Sequence, residues 1–454
     1  MREMRQSAHG EWSSRWVFIM AATGSAVGLG NIWRFPYVTG ENGGGAFVLV
    51  YLACVIVVGL PIMMGEILIG RRGRQSPIHA LKTLAREEGL SDHWKFLGWL
   101  GVVAGFIILS FYTVIAGWSL AYVLAMVSGQ FSEITAAESE AHFTALIASP
   151  GELIFWHSLF MALCVVVVAK GVEHGLERAV KWLMPALFVL LVVMVGYAMG
   201  TGDFQRALGY LFTPDFSKLS GAVILEALGQ AFFSLSLGMG AIMAYGAYLP
   251  HSASIPSTTT TIAICDTLVA LLAGLAIFPV VFQVGLDPGS GPGLIFMTLT
   301  VAFGQMPLGV PFGTLFFVLL TVAAWTSAIS LMEPVTAWFV EKHEHSRTKA
   351  ACIAGAAAWF VGIGSALSFN VWADRTLFGK TFQESAEYLS TTIMLPLGGL
   401  MIALFVGWQM SRRATAEELA IGTGAGYRIW LLLVRFVAPL GVLLVFLNAL
   451  GVLD

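Results

Sequence analysis

Asp266 stands in the middle of the run Thr261-Ile-Ala-Ile-Cys-Asp-Thr-Leu-Val-Ala-Leu271, where every near neighbour is apolar or uncharged. A carboxylate at membrane depth is costly and needs a partner, and an ion is the partner that best explains it. The stretch Thr23-Gly-Ser-Ala-Val-Gly-Leu-Gly-Asn-Ile-Trp-Arg-Phe-Pro36 is rich in glycine within a segment long enough to cross a bilayer. A helix built this way loses its regular hydrogen bonds part-way across. Such a loss is tolerated only where the freed backbone lines a cavity or is buried in protein. Free carbonyls then suit a bare cation, and free N–H groups suit an anion. Ala323, Thr326 and Ser327 are spaced i, i+3, i+4 and share one helix face. On their own, Thr326 and Ser327 read as helix–helix hydrogen bonding.

These residues must be held by helices in a membrane. The chain is 57% apolar and 11% charged, with a net charge of −3, a balance that fits a polytopic helical membrane protein and gives no sign of nucleic-acid binding. Cys54, Cys164, Cys265 and Cys352 are scattered without metal-ligand spacing and read as core residues. Apolar runs predict eleven spans, near 14–38, 44–70, 97–128, 152–170, 177–200, 221–249, 259–284, 309–340, 349–370, 388–411 and 427–452. Arg71, Arg72, Arg74, Lys82 and Arg86 follow the second span, Lys170, Arg178 and Lys181 the fourth, Lys342, Arg347 and Lys349 the eighth, and Arg412 and Arg413 the tenth. The stretch 129–151 carries Glu133, Glu138 and Glu140 and no Lys or Arg. By the positive-inside rule the N-terminus is cytoplasmic and the C-terminus outside. A second glycine-interrupted segment, Ser234-Leu-Ser-Leu-Gly-Met-Gly240, lies five spans after the first. Two broken helices at that separation predict an inverted repeat with a central site between the breaks. The expected divisions are a cytoplasmic segment 1–13, a first five-helix repeat 14–200, a second, inverted repeat 201–411, and a loop with an eleventh helix over 412–454.

At these residues the chain resembles the neurotransmitter:sodium symporter family, in its bacterial amino-acid branch with the leucine-transporter fold. The resemblance spans nearly the whole chain. It rests on Gly24-Ser-Ala-Val-Gly-Leu-Gly-Asn-Ile-Trp-Arg-Phe-Pro36, Glu41-Asn-Gly-Gly-Gly-Ala-Phe47, Gly229-Gln-Ala-Phe-Phe-Ser-Leu-Ser-Leu-Gly238 and Thr326-Ser327, in that order. It implies an all-α membrane protein that carries an amino acid together with sodium, and no enzyme chemistry.

The resemblance also implies the sites. A first sodium is held by Ala26, Asn31, Ser234 and Asp266, completed by the substrate's carboxylate. A second is held by the carbonyls of Gly24, Val27 and Ala323 and the hydroxyls of Thr326 and Ser327. All these donors are oxygens, as a hard cation requires. A zwitterionic substrate lies between the breaks against Ala26, Leu29, Gly30, Tyr112 and Ser234, its side chain among Ile108, Phe233, Ser236, Met239, Ser327 and Leu331. An uncharged pocket of this kind favours an apolar or aromatic side chain, because a buried charge would be unpaired. Gly24, where monoamine carriers have an acid, argues for amino acids, and Met239 widens the range of sizes accepted. Arg34 and Glu387 form the outer gate with Phe233 as lid. Trp12, Tyr248 and Glu341 form the inner gate, where His9 replaces the family's arginine and Arg5 lies four residues earlier.

Glu66 is expected to accept hydrogen bonds from unwound backbone. Gly175 and Pro185 read either as a site of unwinding in the fifth span or as a loop glycine and a proline kink. Asp266 supplies a fixed negative charge where chloride-dependent relatives bind chloride, so transport without chloride is expected. The resulting expectation is chloride-independent, two-sodium symport of a hydrophobic L-amino acid across the bacterial plasma membrane. The competing readings are a carrier of a small polar or methylated amino acid and a non-transporting binder.

Overall fold

A computed structural model describes residues 5, 7–288, 293–449 and 452, so parts of the expected 1–13 and 412–454 segments lie outside the described residues. Within them the protein is helical, and the β contacts amount to one isolated bridge between Leu377 and Lys380. Among the described residues, nine helices are long and apolar enough to cross a membrane: Gly45–Gly73, Asp92–Val127, Pro150–Ala169, Val172–Thr201, Ile255–Gln283, Gly309–His343, Arg347–Ser368, Phe382–Gln409 and Ala425–Asn448. The first expected span is a bent pair, Arg15–Ala26 and Gly30–Glu41, whose axes differ by 54°. The sixth is divided into Gly221–Ser234 and Ala241–Gly246, neither long enough to cross alone. The eleven expected spans are thus nine intact helices, one bent pair and one divided helix.

Several helices begin or end beyond the apolar run, as at Asp92 and His343, because helical hydrogen bonding continues into the polar loops. Loop helices that apolar length does not reveal are Pro77–Glu87, Ala136–Ala148, Phe204–Phe212, Leu294–Gln305 and Arg412–Leu419. Ala136–Ala148 starts with a capping box, Thr135 and Glu138 each satisfying the other's backbone N–H.

The two breaks have different causes. In the first span, Val27 turns to an extended conformation, and the Gly28 carbonyl then receives the N–H groups of both Asn31 and Ile32 at 3.2 Å. In the sixth, Ser236, Gly238 and Gly240 lie at φ 54°, 79° and 73°. An α-helix cannot continue through alternating left-handed residues. Glycine adopts them freely, whereas Ser236 is held there at a cost in strain. Its hydroxyl donates to the Ser25 carbonyl of the first break at 2.9 Å, which ties the two interruptions together.

Close backbone contact fixes the divided helix. A Cβ on Gly105 of the third span would lie 2.9 Å from the Met239 carbonyl, and one on Gly398 of the tenth 2.9 Å from that of Gly238. As expected, Glu66 reaches unwound backbone: its Oε1 accepts the Gly238 N–H at 2.7 Å, and its side chain is fully buried. Glu66→Ala is expected to strand that N–H and lower stability by about 1–3 kcal/mol. Glu66→Gln, which keeps the acceptor oxygen, should cost less. Thermal unfolding in detergent measures both, and equal losses would show that the acceptor is not what matters. At the start of the fifth span, Val172–Glu177 is a wide but wound turn. Of the two readings of Gly175 and Pro185, unwinding is not present in this structure, Pro185 lies inside the helix Arg178–Thr201, and Glu177 takes the Ser13 N–H at 3.0 Å and the Ser13 hydroxyl at 2.6 Å.

Candidate functional site

The breaks enclose a cavity of about 20 Å³, room for about one or two water molecules. Of the expected substrate residues, Ala26, Gly30, Ile108, Tyr112, Phe233, Ser236, Met239, Ser327 and Leu331 line it. Leu29 faces the larger space beyond, and its N–H donates to the Tyr112 hydroxyl at 3.1 Å. That bond leaves the phenolic proton for another acceptor, such as a carboxylate. Ser234 lies behind the cavity, fully buried, 3.0 Å from the Tyr51 hydroxyl.

Asn31, Ser234 and Asp266 come together as expected, and all three are fully buried. Asn31 Nδ2 donates to Asp266 Oδ1 at 2.8 Å and to the Asp266 carbonyl at 3.1 Å. Those two bonds fix the amide's orientation and turn Oδ1 the other way. Asn31 Oδ1 is buried with no hydrogen-bond partner. Leaving such an acceptor bare costs about 1–3 kcal/mol, which a bound cation removes. Ala26 ends the first half-helix, and the expected donors are all oxygens, which suit sodium.

The second expected set is also assembled. Ser327 Oγ lies 3.2, 3.1 and 3.1 Å from the carbonyl oxygens of Gly24, Ser25 and Val27. One hydroxyl proton can satisfy only one of them. The Ser25 carbonyl also takes the Ser236 hydroxyl, and the crowding of the Gly24 and Val27 carbonyls with Ser327 Oγ is an arrangement of oxygens that fits a small cation. Thr326 Oγ1 lies 2.9 Å from the Ala323 carbonyl on the same helix face.

Phe233 and Tyr112 form the floor of a vestibule of about 680 Å³ that also holds Arg34 and Glu387. The expected ion pair between those two charges is not made. Arg34 binds Glu226 at 2.9 Å and Gln230 at 2.9 Å, with its guanidinium 5.3 Å from the centre of the Phe233 ring. On the opposite side, at the N-terminal segment, the residues are locked together. Trp12 is 2% exposed and donates through Nε1 to the Tyr245 carbonyl at 3.1 Å, and its N–H donates to the Tyr248 carbonyl at 2.9 Å. Glu341 meets His9 at 3.0 Å and His79 at 2.6 Å, and accepts the Ser76 N–H at 2.7 Å. His9 thus takes the position in doubt between the two N-terminal basic residues, while Arg5 pairs with Glu87. Tyr248 donates to Glu333 at 2.7 Å rather than to Glu341, and Glu333 is ion-paired with Arg347.

Sequence reasoning missed Tyr51, Glu226, Gln230, His79 and Ser25. Glu226 alone carried a usable signal, as an acid in an apolar run four residues before Gln230 and seven before Phe233.

The sequence profile of the Sodium:neurotransmitter symporter family matches residues 9–141 and 137–453. The chain belongs to the sodium:neurotransmitter symporter family. It is 40% identical over 447 residues to an uncharacterized sodium-dependent transporter, YhdH, of Bacillus subtilis (strain 168), covering 98% of each chain. A second sodium-dependent transporter, of Haemophilus influenzae, is 36% identical, with 96% of this chain and 97% of the relative covered. The crystal structure of MhsT in complex with L-phenylalanine superposes with a TM-score of 0.89 at 44% identity, covering 97% of this chain and 99% of that one. The protein is therefore a sodium-dependent transporter of this symporter family, and not an enzyme.

Proposed function

We propose that the protein carries a hydrophobic or aromatic L-amino acid inward, coupled to two sodium ions, by alternating access. The observation that carries this reading is the lining of the central cavity. Ile108, Phe233, Met239 and Leu331 surround it and no charged side chain enters it. The complex of MhsT with L-phenylalanine supports the same class of cargo. Backbone at the two breaks and the Tyr112 hydroxyl receive the cargo's carboxylate, and that carboxylate completes the first sodium's shell. Asp266 provides the fixed negative charge at that ion, so no chloride is needed.

Coupling follows from state-dependent affinity. Sodium favours the form in which the vestibule is accessible. Cargo then draws Phe233 and Arg34 inward and seals it, after which the N-terminal side releases its lock and the ions leave. The protein lies in the bacterial plasma membrane with the N-terminus in the cytoplasm and the C-terminus outside. Residues 14–200 and 201–411 form the two inverted halves that rock about the site.

A thermal-shift screen of the twenty amino acids in sodium, potassium and sodium gluconate media tests the reading. Stabilisation is expected from Phe, Leu, Met and similar side chains in both sodium media, and none in potassium. Equal stabilisation in potassium would defeat sodium coupling, and preference for a small polar amino acid would defeat the substrate class.

A further inference from the structure

We propose that Glu226 is a positioning residue of the outer gate, one that holds Arg34 in the open form and competes with Glu387 for it. This rests on the proposed role of Arg34 and Glu387 as the pair that closes over the cargo.

Glu226, Gln230 and Phe233 are spaced i, i+4, i+7 on the half-helix Gly221–Ser234, so they share one face. Arg34 lies along that face and touches all three: Glu226 at 2.9 Å, Gln230 at 2.9 Å and the Phe233 ring at 5.3 Å from its centre. Gln230 donates in turn to the Gly30 carbonyl at 2.9 Å, so the arginine is tethered to the first break through its neighbour. Glu387 lines the same vestibule from the tenth span and feels the Arg34 charge without making the ion pair. Glu384 lines the vestibule as well and Glu41 also feels the Arg34 charge, yet the guanidinium is bound to Glu226, which does not bridge the vestibule. Closing requires the exchange of Glu226 for Glu387, while Gln230 and the Phe233 ring can stay in place as the pivot.

The energetic consequence has a definite sign. Glu226 stabilises the open form alone and Glu387 the closed form alone, so the two substitutions act on different states. The fraction of protein competent to retain cargo sets the apparent affinity. Partly exposed ion pairs of this kind are worth up to about 1 kcal/mol, or about two- to fivefold in an equilibrium.

The test is uptake into proteoliposomes by Glu226→Gln, Glu387→Gln and the combined variant. Each is first shown to keep its sodium-dependent thermal stability. Glu226→Gln is expected to lower KM about two- to fivefold, Glu387→Gln to raise it by a similar factor, and the combined variant to return close to wild type. The inference is overturned if Glu226→Gln raises KM or leaves it unchanged while Glu387→Gln raises it, because Glu226 would then be structural support. If Glu387→Gln also leaves KM unchanged, the gate reading fails, and the partner exchange fails with it. Non-additivity in the combined variant would likewise reject it, since the acids would then be acting in one state.

Discussion

Replacing Asp266 with asparagine is expected to weaken sodium binding by one to two orders of magnitude while leaving the fold intact. The change is isosteric, and the carboxylate is fully buried, so packing is kept. Two things are lost together. The first is the fixed negative charge beside the ion, an interaction of the charged class, about 1.5–3 kcal/mol. The second is orientation. The carboxylate now accepts from Asn31 Nδ2 at 2.8 Å, which leaves Asn31 Oδ1 turned away and without a partner. A carboxamide at 266 can donate as well as accept, so of the two bonds that orient the Asn31 amide only the one to the backbone carbonyl of residue 266, at 3.1 Å, is independent of the substitution. A sodium titration of thermal stability reads the effect directly. Stabilisation of about 2.7 kcal/mol at a hundred times Kd falls to about 1.4 kcal/mol if the affinity drops tenfold. An unchanged titration curve with an intact fold would remove Asp266 from the first ion site.

The parts of this molecule that were legible in its sequence are those where the membrane makes a residue conspicuous. Asp266 stands out because its neighbours are apolar, and the structure surrounds it with Asn31, Ser234 and Tyr51. The two breaks stand out because glycine clusters where a spanning helix should be uniform. The structure places the second over residues 235–240, with positive φ at Ser236, Gly238 and Gly240.

The parts that were not legible depend on which helices meet. Tyr51 sits in an apolar run and looks like core until the fold brings it to Ser234, more than 180 residues away in sequence. His79 lies on an amphipathic loop helix, where nothing local marks it as a partner of Glu341. The Arg34 pairing shows a further limit. In sequence, Glu387 is the expected partner of Arg34, but nothing there says which acid a guanidinium at the vestibule meets, and here it is Glu226. The pair expected from the closed form is absent here, with the N-terminal side locked by Trp12 and Glu341. The observed pairing and that lock fit one state of a two-state machine.

Adding a single methyl group at Gly28 is expected to abolish transport. A Cβ there would lie 2.3 Å from Ser327 Oγ, 2.6 Å from the Tyr112 hydroxyl and 3.0 Å from Ser327 Cβ. Neither neighbour can give way cheaply. Ser327 Oγ is wedged among the carbonyls of Gly24, Ser25 and Val27, and Tyr112 is held by the Leu29 N–H. Relief therefore requires the first span to separate from the third and eighth. That movement pulls Ser327 Oγ away from the carbonyls of Gly24, Ser25 and Val27, proposed to hold an ion, and shifts the hydroxyl expected to receive the cargo's carboxylate. Overpacking of this kind costs about 1–3 kcal/mol in stability, which a folded membrane protein survives. A displacement of about 1 Å at a site built from fixed oxygens is a far heavier loss for function. Gly28→Ala should thus remain monodisperse and melt cooperatively, yet show uptake reduced at least about a hundredfold and no stabilisation by cargo in sodium. Gly229→Ala, where a Cβ would meet nothing within 4 Å, is the matched control on the sixth span and should transport normally. Near-normal uptake by Gly28→Ala would mean that the first break does not approach Ser327 and Tyr112 during the cycle, and the site described here would have to be rebuilt around other residues.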